Sequence, residues 1–517
     1  MRTSALANSP LLLPQSIPTG WWPWARWGIL AMAVIFLGLR FFLLTADFPG
    51  GISSSGFRYT DEGWYTRGIL SWFKGNDWYM YGDFNAAITL PIGQMLHFPS
   101  FYLFGPEAFS ARLTSAVSTV LAIVLCSFFV YRHFKNSDLA CLVFAFLSCN
   151  YILFCYSRVA ILEPVLVLFA IIIFFMAHFN PGRLEKPLLA KFFIFTLLTN
   201  LLFFAALLIK TNIVMILPAI LFFFFIRQSS NLHVLLRCGI SIILISPALL
   251  ALITYNYFTH QYFLEDYLHF KSINVDARVS LYPLDLIKNS IDAFLETREI
   301  GPLLFISLLF FLLFKFKSNF PLLKDPVIMG CILWLVGAMG ILSTTGYHPV
   351  RYFIPLIPPI TILVVALSYH WIQNSNLDSR KTVLRASLLY AAILISNSAQ
   401  IVYAMVNTDV SFQRMSTEVA KIVQQEEKPM LLGHMANSIE LFAPVPTVNS
   451  VLGPKPLSWR LDNFHPTHYV CLGEENETID ELKQRFTLVE ENSWDVYENF
   501  KKGKKVHLYK LMPLEQN

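Results

Sequence analysis

The sequence predicts an α-helical polytopic membrane protein with a small α/β domain at its C-terminus. Of its 517 residues, 55% are hydrophobic and only 14% are charged, which is more apolar surface than a soluble fold can bury. Residues 406–517 differ, because they hold 12 Lys/Arg and 16 Asp/Glu and carry a net charge of −4, whereas residues 1–405 carry +9. The composition excludes a water-soluble enzyme and indicates a boundary near residue 406.

The apolar segments of the chain predict about eleven transmembrane helices, since a bilayer core of roughly 30 Å requires about 20 apolar helical residues. The windows nearly free of charge centre on residues 27–45, 112–131, 139–157, 162–179, 192–209, 212–226, 238–256, 301–314, 327–345, 353–371 and 387–405. We therefore expect a cytoplasmic N-terminus over 1–26, a transmembrane domain over 27–405 and the α/β domain over 406–517.

The basic residues predict the orientation of the chain in the bilayer. They fall in every second connection between the windows, and the positive-inside rule assigns those connections to the cytoplasm. The groups are Arg132/Lys135, Arg183/Lys186/Lys191, Arg227/Arg237, Lys315/Lys317/Lys324 and Arg380/Lys381/Arg385. A first outer loop (46–110), a second loop (257–300) and the C-terminal domain then lie on the outer face. Because these cations orient the protein, nucleic acid is not an expected partner.

The C-terminal segment alternates two kinds of pattern. Strand-like runs occupy Met430–Gly433, Thr447–Val451, His468–Leu472 and Val506–Leu511, and helix-like runs occupy Ser416–Gln425 and Ile479–Phe486. This alternation predicts a small α/β domain.

Three acidic residues lie where outer connections meet the membrane. Asp61 and Glu62 follow the first predicted helix, and Glu163 precedes Pro164, which suits the first turn of a helix. Ionisable groups at this depth cost a few kcal/mol each and are therefore candidate functional residues. The alternative for Asp61 and Glu62 is a solvated pair in a loop. Adjacent side chains point in different directions on any regular element, so different roles are expected for the two acids.

Four basic residues occupy outer connections, Arg158, Lys210, His348 and Arg351, and the first two and Arg351 are expected at one level. Each also has a structural interpretation. Arg158 could form a salt bridge with Glu163, Lys210 could extend to the membrane surface, and a lone His beside a proline is usually structural. Taken together, however, guanidinium and ammonium groups are the side chains that hold phosphate. A nearby carboxylate can take a proton from an attacking hydroxyl.

These residues resemble a known family of membrane enzymes. Its motifs are matched by the acidic pair, Leu90-Pro91-Ile92-Gly93, Phe104-Gly105, Ala111-Arg112-Leu113, Ser157-Arg158 with Glu163, and Arg351-Tyr352 with Pro355. The order and spacing over residues 27–370 resemble the polyprenyl-phosphate-dependent glycosyltransferases of the C-type fold, in particular the protein O-mannosyltransferase and lipid A aminoarabinose transferase group. The resemblance implies the C-type glycosyltransferase fold.

The resemblance also implies roles for the candidate residues. Asp61 corresponds to the catalytic acid of the family and Glu62 to its partner, whereas the family more often has Asp at the position of Glu163. Arg158, Lys210 and Arg351 match positions that lie near the lipid phosphate in the family, and His348, from the same connection as Arg351, is a further expected lipid-phosphate ligand. Glu163 and Tyr65 are the expected sugar-contacting residues, although an aromatic residue here could instead anchor the loop at the interface.

The predicted reaction is an inverting transfer of a sugar from a polyprenyl-phosphate donor to a hydroxyl of a glycolipid such as lipopolysaccharide, a glycan or a protein. No cofactor is expected. A divalent cation held by Glu62 or Glu163 is the disfavoured variant, because the sequence has no clustered DxD and no Cys/His metal spacing.

A multi-pass transporter or flippase is the main alternative, since buried charges also line transport paths. The predicted charges cluster at helix mouths and not at helix midpoints, which favours the enzyme. A scaffold with an exposed sensor domain is a third possibility. The chain lacks the large luminal insertion of the eukaryotic mannosyltransferases, so the expected location is a bacterial inner membrane with a periplasmic active site.

Overall fold

The computed structural model of the chain is mostly helical. It describes residues 22–48, 61–84, 91–180, 189–225, 239, 263–273, 279–314, 322–374, 379–473, 477–496 and 505–514. Up to residue 406 the helices are α1 (Trp22–Leu39), α2 (Asp61–Phe73), α3 (Pro91–Met95), α4 (Phe98–Phe104), α5 (Ala108–Phe134), α6 (Ser137–Cys149), α7 (Tyr151–Tyr156), α8 (Glu163–Phe179), α9 (Leu189–Ile209), α10 (Leu217–Phe225), α11 (Phe263–Lys271), α12 (Pro283–Glu296), α13 (Pro302–Phe314), α14 (Pro326–Ser343), α15 (Ile357–Asn374) and α16 (Ser379–Val406). Short 3₁₀ turns occupy Thr211–Ile216, Thr297–Ile300, Leu322–Lys324 and Val350–Leu356.

Every predicted membrane window contains at least part of one of these helices except 238–256, which lies outside the described residues apart from residue 239. Within the described ranges, five helices are long and apolar enough to cross a bilayer, and four shorter helices are also apolar. The total number of spans stays a prediction. Most of the predicted N-terminal segment 1–26 likewise lies outside the described part, and α1 already begins at Trp22.

One span lies at the centre of the helical body. In the window over Val350–Ile372, 89% of the residues are buried, against 33–50% in the other four spans. The outer spans expose apolar side chains such as Val124, Ile194 and Val336, which suits contact with lipid chains. Arg351 lies at the start of the central span, so the core of the body determines its position.

The C-terminal domain is a mixed sheet covered by helices. Its elements are α17 (Ser411–Val423), β1 (Leu431–Leu432), α18 (Ala436–Phe442), β2 (Thr447–Val448), α19 (Leu457–Phe464), β3 (His468–Leu472), α20 (Glu477–Lys483), β4 (Phe486–Trp494) and β5 (Val506–Pro513). The strand order is β2-β1-β3-β5-β4, with parallel pairing from β2 to β3 and antiparallel pairing of β5 with both neighbours.

The predicted strands are all present, but β4 was not predicted. Its residues alternate only weakly and are mostly exposed, because β4 is an edge strand paired on one side with β5. Periodicity is a poor guide to such a strand, since one face and one edge are solvated. The predicted helix Ile479–Phe486 ends earlier than expected, at Lys483, because β4 begins at Phe486.

Helix α11 connects the first outer loop to the C-terminal domain. The hydroxyl of Tyr79 donates to the Asp266 carboxylate, and Lys455 Nζ lies 2.6 Å from Glu265 Oε1. Burial raises the pKa of Asp266 to about 7; Glu265 and Asp83 act in the same direction, while Tyr79 and Lys455 oppose it. This contact region is therefore sensitive to pH near neutrality.

We expect the docking of α11 to weaken as the pH rises. The pKa of Asp266 is higher in the folded state than its ordinary value of about 3.9, so the folded protein binds the proton more tightly. The resulting stabilisation is present below about pH 4 and is lost as the pH passes through about 7. Hydrogen exchange in α11, corrected for intrinsic rates, should accelerate across this range in the wild type and change little in Asp266→Asn.

The matched control is Asp285→Asn, which alters an exposed acid in the neighbouring helix α12 and should keep the wild-type pH dependence. An Asp266→Asn variant with an unchanged pH profile would show that another group titrates.

Candidate active site

The candidate acids open helix α2. Asp61 and Glu62 occupy its first turn, where the positive end of the helix dipole favours carboxylates. Both side chains are buried, Glu62 completely. The two carboxylates lie in different surroundings, and each contacts a different arginine: Asp61 contacts Arg351, and Glu62 contacts Arg112.

Asp61 belongs to a buried cluster of alternating charges. Arg351 Nη2 lies 2.9 Å from Asp61 Oδ2, and Arg351 Nε lies 3.5 Å from Glu163 Oε1. The same Glu163 oxygen accepts a 2.6 Å hydrogen bond from Lys210 Nζ, which also donates to the Tyr65 hydroxyl at 3.2 Å. The structure thus brings together Asp61, Tyr65, Glu163, Lys210 and Arg351, all predicted site residues.

Breaks in the helices place these side chains at one level. Glu163 is the first residue of α8, and Pro164 follows it where its missing N–H costs nothing. Lys210 has extended backbone angles between α9 and the next 3₁₀ turn. Arg351 lies in a 3₁₀ turn that contains Pro355. Because all three residues lie at helix ends, their long side chains converge on the same space.

Aromatic rings enclose the cations of this cluster. Lys210 Nζ lies 5.2 Å from the centroids of both the Tyr65 and Tyr352 rings, and the Arg351 guanidinium lies 5.5 Å from the Tyr352 ring. Burial raises the pKa of Tyr65, so its hydroxyl keeps its proton. Glu163 Oε2 is buried and has no hydrogen-bond partner within the described ranges. That oxygen can accept a hydrogen bond from a bound hydroxyl.

Glu62 lies in a second cluster, built around Arg112. The guanidinium of Arg112 donates to both Glu62 oxygens, at 2.8 and 2.7 Å, and Nη2 also lies 2.6 Å from Asp47 Oδ1. The backbone N–H of Ala160 donates to Glu62 at 2.7 Å. The Arg112 Nη1 group donates to the carbonyls of Leu44, Thr45 and Ala46. Glu62 therefore fastens α2 to the end of α1 and to the turn before α8, rather than sharing the Asp61 cluster.

Arg158 is also placed away from the Asp61 cluster. Its guanidinium donates to the carbonyls of Leu39, Phe42 and Leu43, at 2.8, 2.5 and 2.7 Å, and stacks on Phe48. Within the described part of the chain, no hydrogen bond or ion pair joins Arg158 to Asp61 or Glu163. These carbonyls belong to Leu39, the last residue of α1, and to the turn that follows it, since α1 ends before the end of the predicted window 27–45. Arg158 thus connects the turn before α8 to the end of α1. The structural alternative, an Arg158–Glu163 salt bridge, is not formed, and Glu163 pairs with Lys210 instead.

His348 fixes the turn that carries Arg351. Its Nε2 lies 2.8 Å from the Leu342 carbonyl oxygen, and its Nδ1 lies 3.5 Å from Glu296 Oε2. His348 thus links the turn to α14 and to the end of α12, and its described contacts do not include Lys210 or Glu163. The roles of Arg112 and Tyr352 were not predicted, although an arginine near the start of the apolar helix α5 was a signal for the first of them.

Comparisons with known proteins agree on the fold. No family model and no curated relative matches the chain. ArnT from Cupriavidus metallidurans is similar in its apo structure, with a TM-score of 0.60 and 13% identity over 94% of this chain and 98% of ArnT. The ArnT structure bound to undecaprenyl phosphate gives a TM-score of 0.59 and 14% identity over 96% of this chain and 98% of ArnT.

A third solved structure extends the likeness. The Archaeoglobus fulgidus oligosaccharyltransferase, in complex with Zn and sulfate, gives a TM-score of 0.51 and 12% identity over 86% of this chain and 67% of that protein. At such identities the likeness is one of fold. The helical body, the small C-terminal sheet and these three matches together show that the chain has the C-type fold of membrane glycosyltransferases.

Proposed function

We propose that the protein is a membrane glycosyltransferase that moves a sugar from a polyprenyl-phosphate donor to a hydroxyl acceptor at the outer face of the membrane. The observation that carries the proposal is the buried cluster in which Arg351 bridges Asp61 and Glu163 while Lys210 holds Glu163. A C-type fold alone does not imply an activity, whereas this cluster contains both a pair of cations suited to phosphate and a candidate base.

Lys210 and Arg351 are suited to hold the donor phosphate. Both contact the same oxygen of Glu163, at 2.6 and 3.5 Å, so their nitrogens face one small region. Ammonium and guanidinium groups bind phosphate oxygens through charge-assisted hydrogen bonds. In this buried environment their charges act more strongly than in water. The similar ArnT structure with undecaprenyl phosphate supports a lipid of this chemistry as the partner.

Asp61 is suited to act as the general base. A donor phosphate that engages Arg351 competes with Asp61 for the guanidinium and frees the carboxylate to face an acceptor hydroxyl. The hydroxyl proton then passes to Asp61, the acceptor oxygen bonds to the anomeric carbon, and the bond from that carbon to the phosphate oxygen breaks. The electron pair leaves with the lipid phosphate, which Lys210 and Arg351 stabilise. A single displacement of this kind inverts the configuration.

Glu163 and Tyr65 are placed to orient the sugar. The buried Glu163 Oε2 can accept a hydrogen bond from a sugar hydroxyl, and the Tyr65 hydroxyl lies beside Lys210. The proposed mechanism uses no metal ion and no cofactor. We further propose a bacterial inner-membrane location with this site facing the periplasm, and a glycolipid, a glycan or a protein as the acceptor.

The proposal is tested by intact-mass analysis of glycolipids and proteins from cells with and without this protein. A transferred sugar appears as a fixed mass difference on the acceptor. The same mass difference should appear on the acceptor when the purified protein is placed in vesicles that contain a polyprenyl-phosphate sugar. If neither cells nor vesicles show a sugar added to any acceptor, the transferase assignment is wrong.

Lys210→Gln should weaken donor binding. A charge-assisted hydrogen bond contributes about 1.5–3 kcal/mol, so we expect the KM for the polyprenyl-phosphate donor to rise roughly 10- to 100-fold. Initial rates at varied donor concentration in vesicles measure this. The control is Lys191→Gln, which removes an exposed cation from the same helix α9 and should leave the KM unchanged. An unaltered KM in Lys210→Gln would place the phosphate elsewhere.

A further inference from the structure

Helix α2 lies directly on the C-terminal domain. The N–H of Gly63 donates to Ser438 Oγ at 3.2 Å, and Ser438 lies in α18. A Cβ atom added at Gly63 would stand 2.3 Å from the carbonyl carbon of Asn437 and 2.3 Å from the Ser438 nitrogen. Backbone atoms cannot move aside as a flexible side chain can. The two helices therefore approach each other at a point where only glycine fits, two residues after Asp61.

One turn further along α2, Arg67 joins the same two parts of the molecule. Its Nη1 lies 2.9 Å from Glu440 Oε2 of α18, and its Nη2 lies 3.0 Å from Asp83 Oδ2 of the first outer loop. Arg67 also donates to the hydroxyl and the carbonyl oxygen of Thr447 in β2. The exposed fraction of the Arg67 side chain is only 6%. Through these ion pairs and hydrogen bonds, the Arg67 guanidinium connects α2 with the outer loop and with α18 and β2 of the C-terminal domain.

Further contacts surround this junction. Lys74 Nζ lies 3.1 Å from Glu440 Oε1, and the N–H of Asn449 donates to Asp83 Oδ1 at 2.9 Å. Breaking one partner of a buried ion pair leaves an uncompensated charge, which is strongly destabilising. These contacts hold α2, the helix that begins with Asp61, against the C-terminal domain. In contrast, Glu163, Lys210 and Arg351 lie on other elements, and their contacts described above are all within the helical body.

We propose that the C-terminal domain is part of the catalytic apparatus, because it sets the position of α2 and hence of the Asp61 carboxylate. Arg67 is a positioning residue, since it acts through α2 and does not touch the reacting atoms. Gly63 provides the close approach that the contact requires. The kinetic part of this inference rests on the proposed function and assigns the C-terminal domain a role in the chemical step, separate from donor binding.

The test uses the full-length protein in vesicles with a polyprenyl-phosphate sugar donor. In Gly63→Ala, which keeps every charge, we expect kcat to fall at least tenfold while the donor KM stays within twofold. The control is Gly340→Ala, a glycine in α14 whose added Cβ meets nothing within 4 Å; it should keep the wild-type kcat. If the wild type transfers sugar and the two variants have equal kcat values, the proposal is overturned.

A double-mutant cycle tests the ion pair. Arg67→Gln and Glu440→Gln should each lower kcat, and the double variant should lose far less than the product of the two factors, because both remove the same contact. The exposed pair Arg485–Asp462 of the C-terminal domain gives the control, Arg485→Gln, which should be neutral. Independent effects that multiply would overturn the role of the Arg67–Glu440 contact.

Hydrogen exchange separates failure of this inference from failure of the proposed function. We expect Gly63→Ala and Arg67→Gln to accelerate exchange in α2 but not in the buried span that follows Arg351. Unchanged exchange in α2 overturns the inference even if the wild type transfers sugar. If the wild type transfers no sugar but exchange in α2 accelerates as expected, the proposed function is wrong. The inference that the C-terminal domain holds α2 in position is then still supported.

Discussion

Asp61→Asn should lower the rate of sugar transfer by about 10²- to 10⁴-fold at saturating donor, which is the usual contribution of a general base. The amide is close to the carboxylate in shape but cannot take the proton of the acceptor hydroxyl. Donor binding should persist, because Lys210 and Glu163 remain and Arg351 loses only one of its partners. The measurement is kcat in vesicles, together with a binding assay for the polyprenyl-phosphate lipid.

A matched control keeps this expectation specific. Asp77 is an exposed acid in the same outer loop, and Asp77→Asn should transfer sugar at the wild-type rate. If Asp61→Asn retains full kcat in a correctly inserted protein, Asp61 is not the base and the mechanism proposed above fails.

The second large effect is expected from Arg112→Gln, and it concerns stability. The variant removes the guanidinium that contacts the buried carboxylates of Glu62 and Asp47 and that donates to three carbonyls after α1. Loss of one partner of a buried ion pair costs about 3–5 kcal/mol. We expect a large fall in the thermal unfolding midpoint in detergent, measured by intrinsic fluorescence or by protease resistance.

The comparison for this prediction is the exposed Arg485–Asp462 pair. Surface pairs contribute about 0.2–1 kcal/mol, so Arg485→Gln should shift the midpoint only slightly. The same experiment decides the role of Glu62. If Arg112→Gln unfolds at the wild-type temperature yet transfers no sugar, Glu62 and Arg112 take part in the reaction and do not merely fasten α2.

Some features of the candidate site could be predicted from local sequence because they depend on neighbouring residues. Pro164, the Lys210 interruption and the Pro-rich segment after Arg351 each end or begin a helix, and such breaks place polar residues at the ends of apolar segments. Adjacent positions in one helix point about 100° apart, so Asp61 and Glu62 were expected to differ. Their contacts with Arg351 and Arg112 do differ.

Hydropathy and helix stops are local properties, so the amino-acid sequence is sufficient to identify a membrane protein, the breaks in its helices and the ionisable residues at those breaks. The pairing of each cation with its acid depends instead on how the helices pack in three dimensions. Arg158 donates to carbonyls at the end of α1 and in the turn after it, and Lys210 is the cation that pairs with Glu163. The docking of α18 on α2 depends on contacts between residues more than 370 positions apart in the chain. Pairing of this kind depends on distances in space, which no local pattern encodes.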